Sequence, residues 1–205
     1  MRRIFAFIMT TLDGYYEGAN GEFDWPVVDS EFEEFGVRQL DAADTLLFGR
    51  ATYEGMAAYW PTAAADGNDQ RVIDQMNGYP KLVVSRTLAT AEWPQTRVLR
   101  SLDELAEVKQ GPGGEIAVLG SPALTAALIG AGLLDELRIM VAPIALGAGK
   151  SLFAGHGERI PLRLLRTRTF DSGNVLHTYE PVPLIAQLSL QKPFAKLSLR
   201  STLAV

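Results

Sequence analysis

The sequence predicts an α/β fold with a mostly parallel central sheet and an antiparallel edge. Short apolar runs alternate with helical patterns up to about residue 143, an order that is typical of parallel sheets. Runs such as 116–119 are apolar at every position, as expected of strands covered on both faces. The segments 162–170 and 175–180, joined by Asp171-Ser172-Gly173-Asn174, then have the pattern of a β-hairpin.

The composition describes an ordinary globular protein. The chain has 205 residues, which is long enough for one substantial core or two small ones. Of these residues, 47% are hydrophobic and 21% are charged. The net charge is −5 and there is no basic block, so we expect no nucleic-acid partner. No apolar run reaches the roughly 18–20 residues that cross a bilayer, so we expect no membrane partner.

Cysteine is absent, which excludes disulfides, thiolate nucleophiles and Cys-ligated metals. His156 and His177 lie far apart in the sequence, so we predict no metal site. The first apolar run is too short for a signal peptide, and no small-residue cleavage site precedes Asp13. We therefore expect a cytoplasmic protein.

The first part of the chain contains a strand, a long loop and a helix. Residues 3–10 predict the strand, and residues 12–21 form a loop with three glycines, long enough to cover a site rather than simply connect. Residues 29–43 have the apolar stripe of a helix, which Asp29 or Ser30 can cap.

Three predicted strands end in residues suited to binding phosphate. Glycine lets the backbone approach a ligand, and arginine recognises phosphate with a fork of donors. The pairs are Gly49-Arg50 after strand 45–48, Ser85-Arg86 after strand 81–84, and Gly120-Ser121 after strand 115–119. A helix from about Ala51 to Tyr59 is predicted to follow the first pair.

The turn at Gly120 has two interpretations when taken alone. Ser121 is a good helix N-cap and Pro122 suits the first helical position, so this is a plain strand–helix junction with a cap. Alternatively, the helix start directs free N–H groups at a bound phosphate. The repetition of the pattern at three strand ends favours the phosphate site.

The later elements have local signals of their own. Residues 96–99 predict a brief strand, and Ser101 with Glu104 forms a capping box before a short helix. Residues 137–143 predict another strand, and residues 144–153 a flexible, glycine-containing loop.

We predict one domain over residues 1–183 and a separate extension over residues 184–205. The extension contains two near-repeats with leucine at alternate positions, 188–192 and 196–201. They predict a small hairpin that pairs with another sheet edge or a partner subunit, or a disordered tail; both alternatives stay open.

Five motifs in residues 2–181 give the chain a resemblance to a known family. They are Thr11-Leu12-Asp13-Gly14, Leu47-Phe48-Gly49-Arg50-Ala51-Thr52-Tyr53-Glu54, Leu82-Val83-Val84-Ser85-Arg86, Val118-Leu119-Gly120-Ser121 and Leu133-Leu134-Asp135-Glu136-Leu137. In this order they resemble the dihydrofolate reductase superfamily, and more closely the reductase domain of the bacterial riboflavin-biosynthesis deaminase–reductases and its stand-alone members. The resemblance implies a three-layer dihydrofolate-reductase-like fold, with helices on both faces of the sheet, and a homodimer.

The resemblance also implies that NADPH binds. Gly49, Arg50 and Thr52 match the turn and helix start that hold the cofactor phosphates. Ser85 and Arg86 match the strand end that contacts the adenosine 2′-phosphate. Two arginines beside these turns favour NADPH over NADH.

The pyrophosphate and nicotinamide ends of the cofactor have matches too. Gly120 and Ser121 match a glycine pair at the pyrophosphate, with Ser121 a departure that adds a hydroxyl contact or crowds the phosphate. Thr11 and Gly14 match residues near the nicotinamide. Asp13 is the catalytic candidate, orienting the substrate or the loop; a turn aspartate before glycine is the equal alternative.

The substrate side has looser matches. The resemblance points to Asp24, Trp25 and Asp29 as substrate-lining residues. Asp29 and Glu31 only loosely match the acid that folate reductases carry on their first helix, so no proton donor is assigned.

These matches predict an NADPH-dependent reductase of a small pteridine- or pyrimidine-like heterocycle or a carbonyl compound. The chain has no cysteine for the zinc site of a deaminase half. The order Asp24-Trp25-Pro26 also differs from that of folate reductases, so the substrate stays open. The alternatives are a non-catalytic nucleotide- or ligand-binding protein on the same fold, and a protein that assembles through its leucine-rich extension.

Overall fold

The structure, a computed structural model, describes residues 1–154 and 159–182. His156 and the predicted extension 184–205 lie outside the described residues. Within the described ranges, no helix combines the length and the apolar character needed to cross a membrane.

The described residues form ten strands, five α-helices and one 3-10 helix. The strands are β1 (Ile4–Thr11), β2 (Tyr15–Glu17), β3 (Ala43–Gly49), β4 (Lys81–Val84), β5 (Thr96–Leu99), β6 (Glu115–Leu119), β7 (Glu136–Ala142), β8 (Lys150–Ser151), β9 (Leu162–Thr169) and β10 (Val175–Pro181). The helices are α1 (Ser30–Leu40), α2 (Arg50–Tyr59), α3 (Gln70–Gly78), α4 (Leu102–Gln110) and α5 (Pro122–Gly130), with the 3-10 helix at Trp60–Asp66.

Eight strands form one sheet in the order β5-β4-β3-β6-β1-β7-β10-β9. Neighbouring strands from β5 to β7 pair in parallel. β10 pairs antiparallel with β7 and with β9. The predicted parallel sheet with an antiparallel hairpin at its edge is therefore confirmed.

Strand β1 is buried along its whole length and contributes side chains to both faces of the sheet. Ile4 packs in a core cluster that includes Leu105 of α4 and Leu128 of α5. Phe5 packs on the other face, in a cluster that includes Tyr53 of α2 and Met76 of α3. Helices therefore cover both faces, as predicted, which explains why residues 4–9 and 116–119 are apolar at every position.

Two segments predicted as loops contain strands. Tyr15 pairs with Ser151 and Glu17 with Lys150, so that β2 and β8 form a small antiparallel sheet. A strand of two or three residues is too short to show an alternating pattern. The prediction of a glycine-containing loop at residues 12–21 and of a flexible loop at residues 144–153 is wrong for these positions.

The helix starts show which predicted caps form. Asp29 caps α1 by accepting a hydrogen bond from the Phe32 amide at 2.8 Å. The Ser101 hydroxyl caps α4 by accepting from the Glu104 amide at 3.3 Å. The reciprocal bond of the predicted capping box is displaced by one residue, because the Glu104 carboxylate accepts from the Arg100 amide.

Lys81 on β4 is a fully buried cation. Its ammonium donates to the carbonyls of Asn77 at 2.9 Å and Tyr79 at 2.8 Å, and it lies 4.5 Å from the centre of the Trp93 ring. A cation beside the last carbonyls of α3 is favoured by the helix dipole. Burial nevertheless lowers the pKa of the Lys81 ammonium to about 8.

This lowered pKa predicts a pH dependence of stability. Below about pH 8 Lys81 is protonated in the folded and unfolded states, and the cost of burying the charge is fully present. Between about pH 8 and 10.5 the folded protein releases the proton first, which relieves that cost. The free energy of unfolding of the native chain should therefore rise with pH relative to Lys81→Met. Urea unfolding of both proteins from pH 7 to 10.5 measures this, and parallel pH profiles would contradict it.

Candidate functional site

The three predicted phosphate turns lie side by side. They follow the carboxyl ends of β4, β3 and β6, which are neighbours in the parallel part of the sheet. The carboxyl ends of parallel strands meet at one edge, where open α/β sheets bind their ligands. The next strand along is β1, which ends at Thr11, one of the predicted nicotinamide residues.

Two of these turns are in direct contact. The Gly49 amide donates a hydrogen bond to Ser121 Oγ at 3.0 Å. Gly120 has φ +64°, and a Cβ atom there would lie 3.3 Å from Thr52 Cγ2. Gly49, Thr52, Gly120 and Ser121 therefore form one compact group, which we call the glycine cradle.

Ser121 occupies the N-cap position of α5, but the side-chain cap of the first interpretation does not form. Ser121 adopts a left-handed conformation with φ 54° and ψ 57°. Its side chain makes no capping hydrogen bond to α5, and its hydroxyl accepts from Gly49 instead. The hydroxyl thus holds the ends of β3 and β6 together.

The two α-helices that begin at the cradle differ from the other three described α-helices. Side chains of Asp29, Asp69 and Ser101 cap α1, α3 and α4. α2 and α5 have no side-chain cap. Each begins next to the cradle, so N–H groups and the positive ends of two helix dipoles are directed at one place. This arrangement is suited to an anion.

Arg50 connects the cradle to the turn after β4. Its Nε donates to Glu54 Oε1 at 2.8 Å and its Nη1 to Thr87 Oγ1 at 2.8 Å. The side chain remains half-exposed, so the guanidinium is held in place with donors left for a ligand. Thr87 and Glu54 were not predicted as site residues, although both belong to the strand-end segments that carry the arginines.

Ser85 and Arg86 have different environments in that turn. Ser85 is buried, and its hydroxyl accepts from the amides of Thr87 at 3.2 Å and Leu88 at 3.0 Å. It therefore shapes the turn. Arg86 is exposed and makes no hydrogen bond or ion pair with residues 1–154 or 159–182.

Thr11 and Asp13 connect the end of β1 to a loop that follows β7. Thr11 Oγ1 donates to Asp13 Oδ1 at 2.6 Å. The Asp13 carboxylate accepts from the amides of Leu146 at 3.2 Å and Gly147 at 2.8 Å. The hydrogen bond from Thr11, with those of Gly147 and Leu146, lowers the pKa of the Asp13 carboxyl below its usual value. Asp13 is therefore ionised near neutral pH and holds the two loops together.

The segment after β7 is the part of the site that sequence patterns missed. Besides the contacts to Asp13, the Ile144 carbonyl accepts from the Leu12 amide at 2.7 Å. Gly14 has φ +85°, with open space where a Cβ would lie. In the sequence, the glycines at 147 and 149 were the only local signal that this segment contacts Leu12 and Asp13.

Trp25 lies in the core beside the first strand. It is 8% exposed and belongs to the cluster that contains Phe7, Met9 and Phe35. Its indole Nε1 has no hydrogen-bond partner among the described residues. Asp24, in contrast, is exposed.

Two acidic side chains near the start of α1, those of Asp29 and Glu31, are already engaged. Asp29 caps the helix. Glu31 accepts from Arg168 at 2.7 Å and from the Asp171 amide at 2.9 Å. The hydrogen bond from Arg168 lowers the pKa of the Glu31 carboxyl. Within the described ranges, no three His, Asp or Glu side chains lie close enough together to hold a metal ion.

The sequence of the chain is similar to a known protein family and to a protein of Bacillus subtilis. The model of a family described as the RibD C-terminal domain matches residues 2–176. The uncharacterized protein YyaP of Bacillus subtilis (strain 168) is 34% identical over 181 residues, which cover 87% of this chain and 94% of YyaP.

Solved structures show the same fold at lower sequence identity. A putative riboflavin biosynthesis protein from Shewanella sp. PV-4 superposes with a TM-score of 0.63 and 22% identity, covering 88% of this chain and 99% of that one. Dihydrofolate reductase from Enterococcus faecalis, complexed with NADP(H) and RAB-propyl, has a TM-score of 0.60 and 15% identity, covering 88% and 97%. The predicted dihydrofolate-reductase-like fold is confirmed.

Proposed function

The chain belongs to the RibD C-terminal domain family, and on that premise we propose that it is an NADPH-dependent reductase. The proposed substrate is a small pteridine- or pyrimidine-like heterocycle or a carbonyl compound. The observation that supports this most strongly is the glycine cradle, where two helices without side-chain caps begin side by side.

In this proposal the chain binds and orients the cofactor. The amides at the starts of α2 and α5 bind the pyrophosphate, which Gly120 allows to approach closely. Arg50 and Arg86 bind the 2′-phosphate, and Thr11 and Gly14 lie beside the nicotinamide. NADPH supplies a hydride to a polarised C=N or C=O bond. Asp13 keeps the covering loops in place, which limits access of water.

The proposal predicts a cofactor preference that depends on Arg50. Arg50→Ala should weaken NADPH binding about tenfold or more, because charge-assisted hydrogen bonds to the 2′-phosphate are lost. NADH lacks that phosphate and should change less than about twofold. Titration of both cofactors by fluorescence measures the two dissociation constants.

A matched control is Arg163→Ala. Arg163 is also an exposed arginine paired with a glutamate, Glu180, but it lies on β9. It should leave both dissociation constants unchanged. Equal weakening of NADPH and NADH by Arg50→Ala would contradict the role in 2′-phosphate recognition.

The rival hypothesis is a binding protein that shares the fold without catalysis. NADPH oxidation in the presence of pteridines, pyrimidine ribotides and quinones separates the two, with absorbance at the nicotinamide band as the readout. Oxidation that depends on one substrate class supports the reductase and identifies the class. Saturable NADPH binding without oxidation in any of the three supports the rival.

We also propose that the protein is a homodimer, as the family resemblance implies. Mass in solution, measured for the full chain and for a chain ending at residue 183, tests this proposal and the role of residues 184–205 together. A dimer that persists after truncation excludes an assembly role for the extension.

A further inference from the structure

Three side chains form a row across the antiparallel edge of the sheet. Thr178 on β10 is the direct cross-strand partner of Arg138 on β7 and of Arg166 on β9. Direct partners project on the same face of a sheet with their Cβ atoms about 5 Å apart. The Thr178 side chain therefore lies between the side chains of Arg138 and Arg166.

The row forms part of the wall of a cleft against the carboxyl-terminal half of α1. The cleft has a volume of about 290 Å³ and is lined by Arg38, Arg138, Arg166 and Arg168 together with Phe35 and Thr178, among others. That volume equals roughly ten water molecules at ~30 Å³ each, enough for a phosphate group with a small organic body. We call it the arginine cleft.

Carboxylates pair with arginines of the arginine cleft but do not line it. Glu136 is buried and accepts from Arg138 Nε at 2.6 Å and from Arg166 at 2.8 Å, with Arg3 at 3.3 Å. Glu115 is the second carboxylate of this group, 3.4 Å from Arg3 and 3.9 Å from Arg138. Arg138 and Arg166 share these carboxylates with Arg3, which does not line the cleft. The other two lining arginines, Arg38 and Arg168, pair with Glu34 and Glu31. Among the described residues, the lining itself therefore contains four arginines and no carboxylate.

Thr178 provides a second and independent indication of a ligand. The residue is completely buried, and its hydroxyl has no hydrogen-bond partner among the described residues. A buried hydroxyl without a partner destabilises a protein relative to a methyl group of the same shape. Because Thr178 lines the basic cleft, an anion bound there that accepts a hydrogen bond from this hydroxyl removes that cost.

The arginine cleft is separate from the glycine cradle. Arg138 lies four residues before the end of β7, about 13 Å from the carboxyl edge at ~3.3 Å per residue. β10 is three strands away from β6, which carries Gly120, about 14 Å at ~4.8 Å per strand. One ligand group cannot contact both places.

We propose that the arginine cleft binds the phosphate group of a small phosphorylated molecule. Arg138 and Arg166 each use only part of their guanidinium on Glu136 and have further N–H donors for the phosphate oxygens. The Thr178 hydroxyl donates to another oxygen. Phe35 provides apolar contact for the organic part. The inference is independent of the proposed reductase activity.

The test is calorimetric titration of the full chain with inorganic phosphate and, separately, with glycerol 3-phosphate, against chloride at equal ionic strength. Thr178→Val and Arg166→Gln should each weaken phosphate binding about tenfold or more. Two control variants should bind phosphate as the native chain does. Thr178→Ser keeps the hydroxyl, and Arg163→Gln removes an arginine that shares β9 with Arg166 but does not line the cleft. Tighter binding of glycerol 3-phosphate than of inorganic phosphate would identify an organic phosphate as the preferred ligand.

Two further measurements test whether a variant has lost stability and whether phosphate binds at the glycine cradle instead. Thr178→Val should be at least as stable as the native chain in urea, because it removes a hydroxyl without a partner. Arg50→Ala reports phosphate bound at the glycine cradle and should leave binding to the arginine cleft unchanged. Absence of binding above chloride, or equal binding by Thr178→Val, Arg166→Gln and the native chain, would overturn the proposal.

Discussion

Replacing Gly120 with alanine is expected to weaken NADPH binding by at least about tenfold. Gly120 has φ +64°, and an added Cβ would lie 3.3 Å from Thr52 Cγ2. The methyl group would therefore push on the start of α2 and stand where the pyrophosphate is proposed to approach. Left-handed backbone at a non-glycine residue also costs about 1–2 kcal/mol of stability.

Gly132→Ala separates the two effects of this change. Gly132 has φ +66°, but an added Cβ would meet nothing within 4 Å. It should lose a similar amount of stability and bind NADPH normally. Fluorescence titration and urea unfolding of both variants measure these quantities. If the two variants lose the same cofactor affinity, the close approach at Gly120 is not part of the site.

Asp135→Ala is expected to cost about 3 kcal/mol in the free energy of unfolding. The Asp135 carboxylate pairs with the Lys109 ammonium, whose side chain is 6% exposed, and accepts from the Ile4 amide at 2.7 Å. The substitution leaves a buried cation without its carboxylate and a buried amide without an acceptor. Because Asp135 itself is partly exposed, water offsets some of the loss.

Glu180→Ala is the matched control for Asp135→Ala. It also removes a carboxylate from an ion pair, with Arg163, but side chains of that pair are 66% and 43% exposed. Exposed pairs contribute less than about 1 kcal/mol. Urea unfolding at pH 7 compares the two variants. Similar losses in both would show that the Lys109–Asp135 contact is not stabilising through burial.

Much of the site's position was predictable from short segments. Gly49-Arg50, Ser85-Arg86 and Gly120-Ser121 each follow an apolar strand, and the strand order brings them to one edge. Such predictions need only local pattern and the rule that parallel strands share a carboxyl edge. The predicted binding roles of these residues stay predictions.

The partners of individual side chains were not predictable in the same way. Ser121 has the residue type and position of an N-cap, yet its left-handed backbone turns the hydroxyl towards Gly49. Asp13 has the pattern of a local turn, yet its carboxylate also binds amides at 146 and 147. Both contacts join segments that are distant in the sequence.

By itself the sequence determined the strands of the main sheet, its parallel part and the glycine turns at its edge, because these depend on side-chain period and backbone freedom within a few residues. Only the tertiary structure decided which helix starts lack caps, which loop holds Asp13 and which arginines converge around Thr178. Those features depend on register between β7, β10 and β9 and on contacts across the sheet, and no local pattern contains that information.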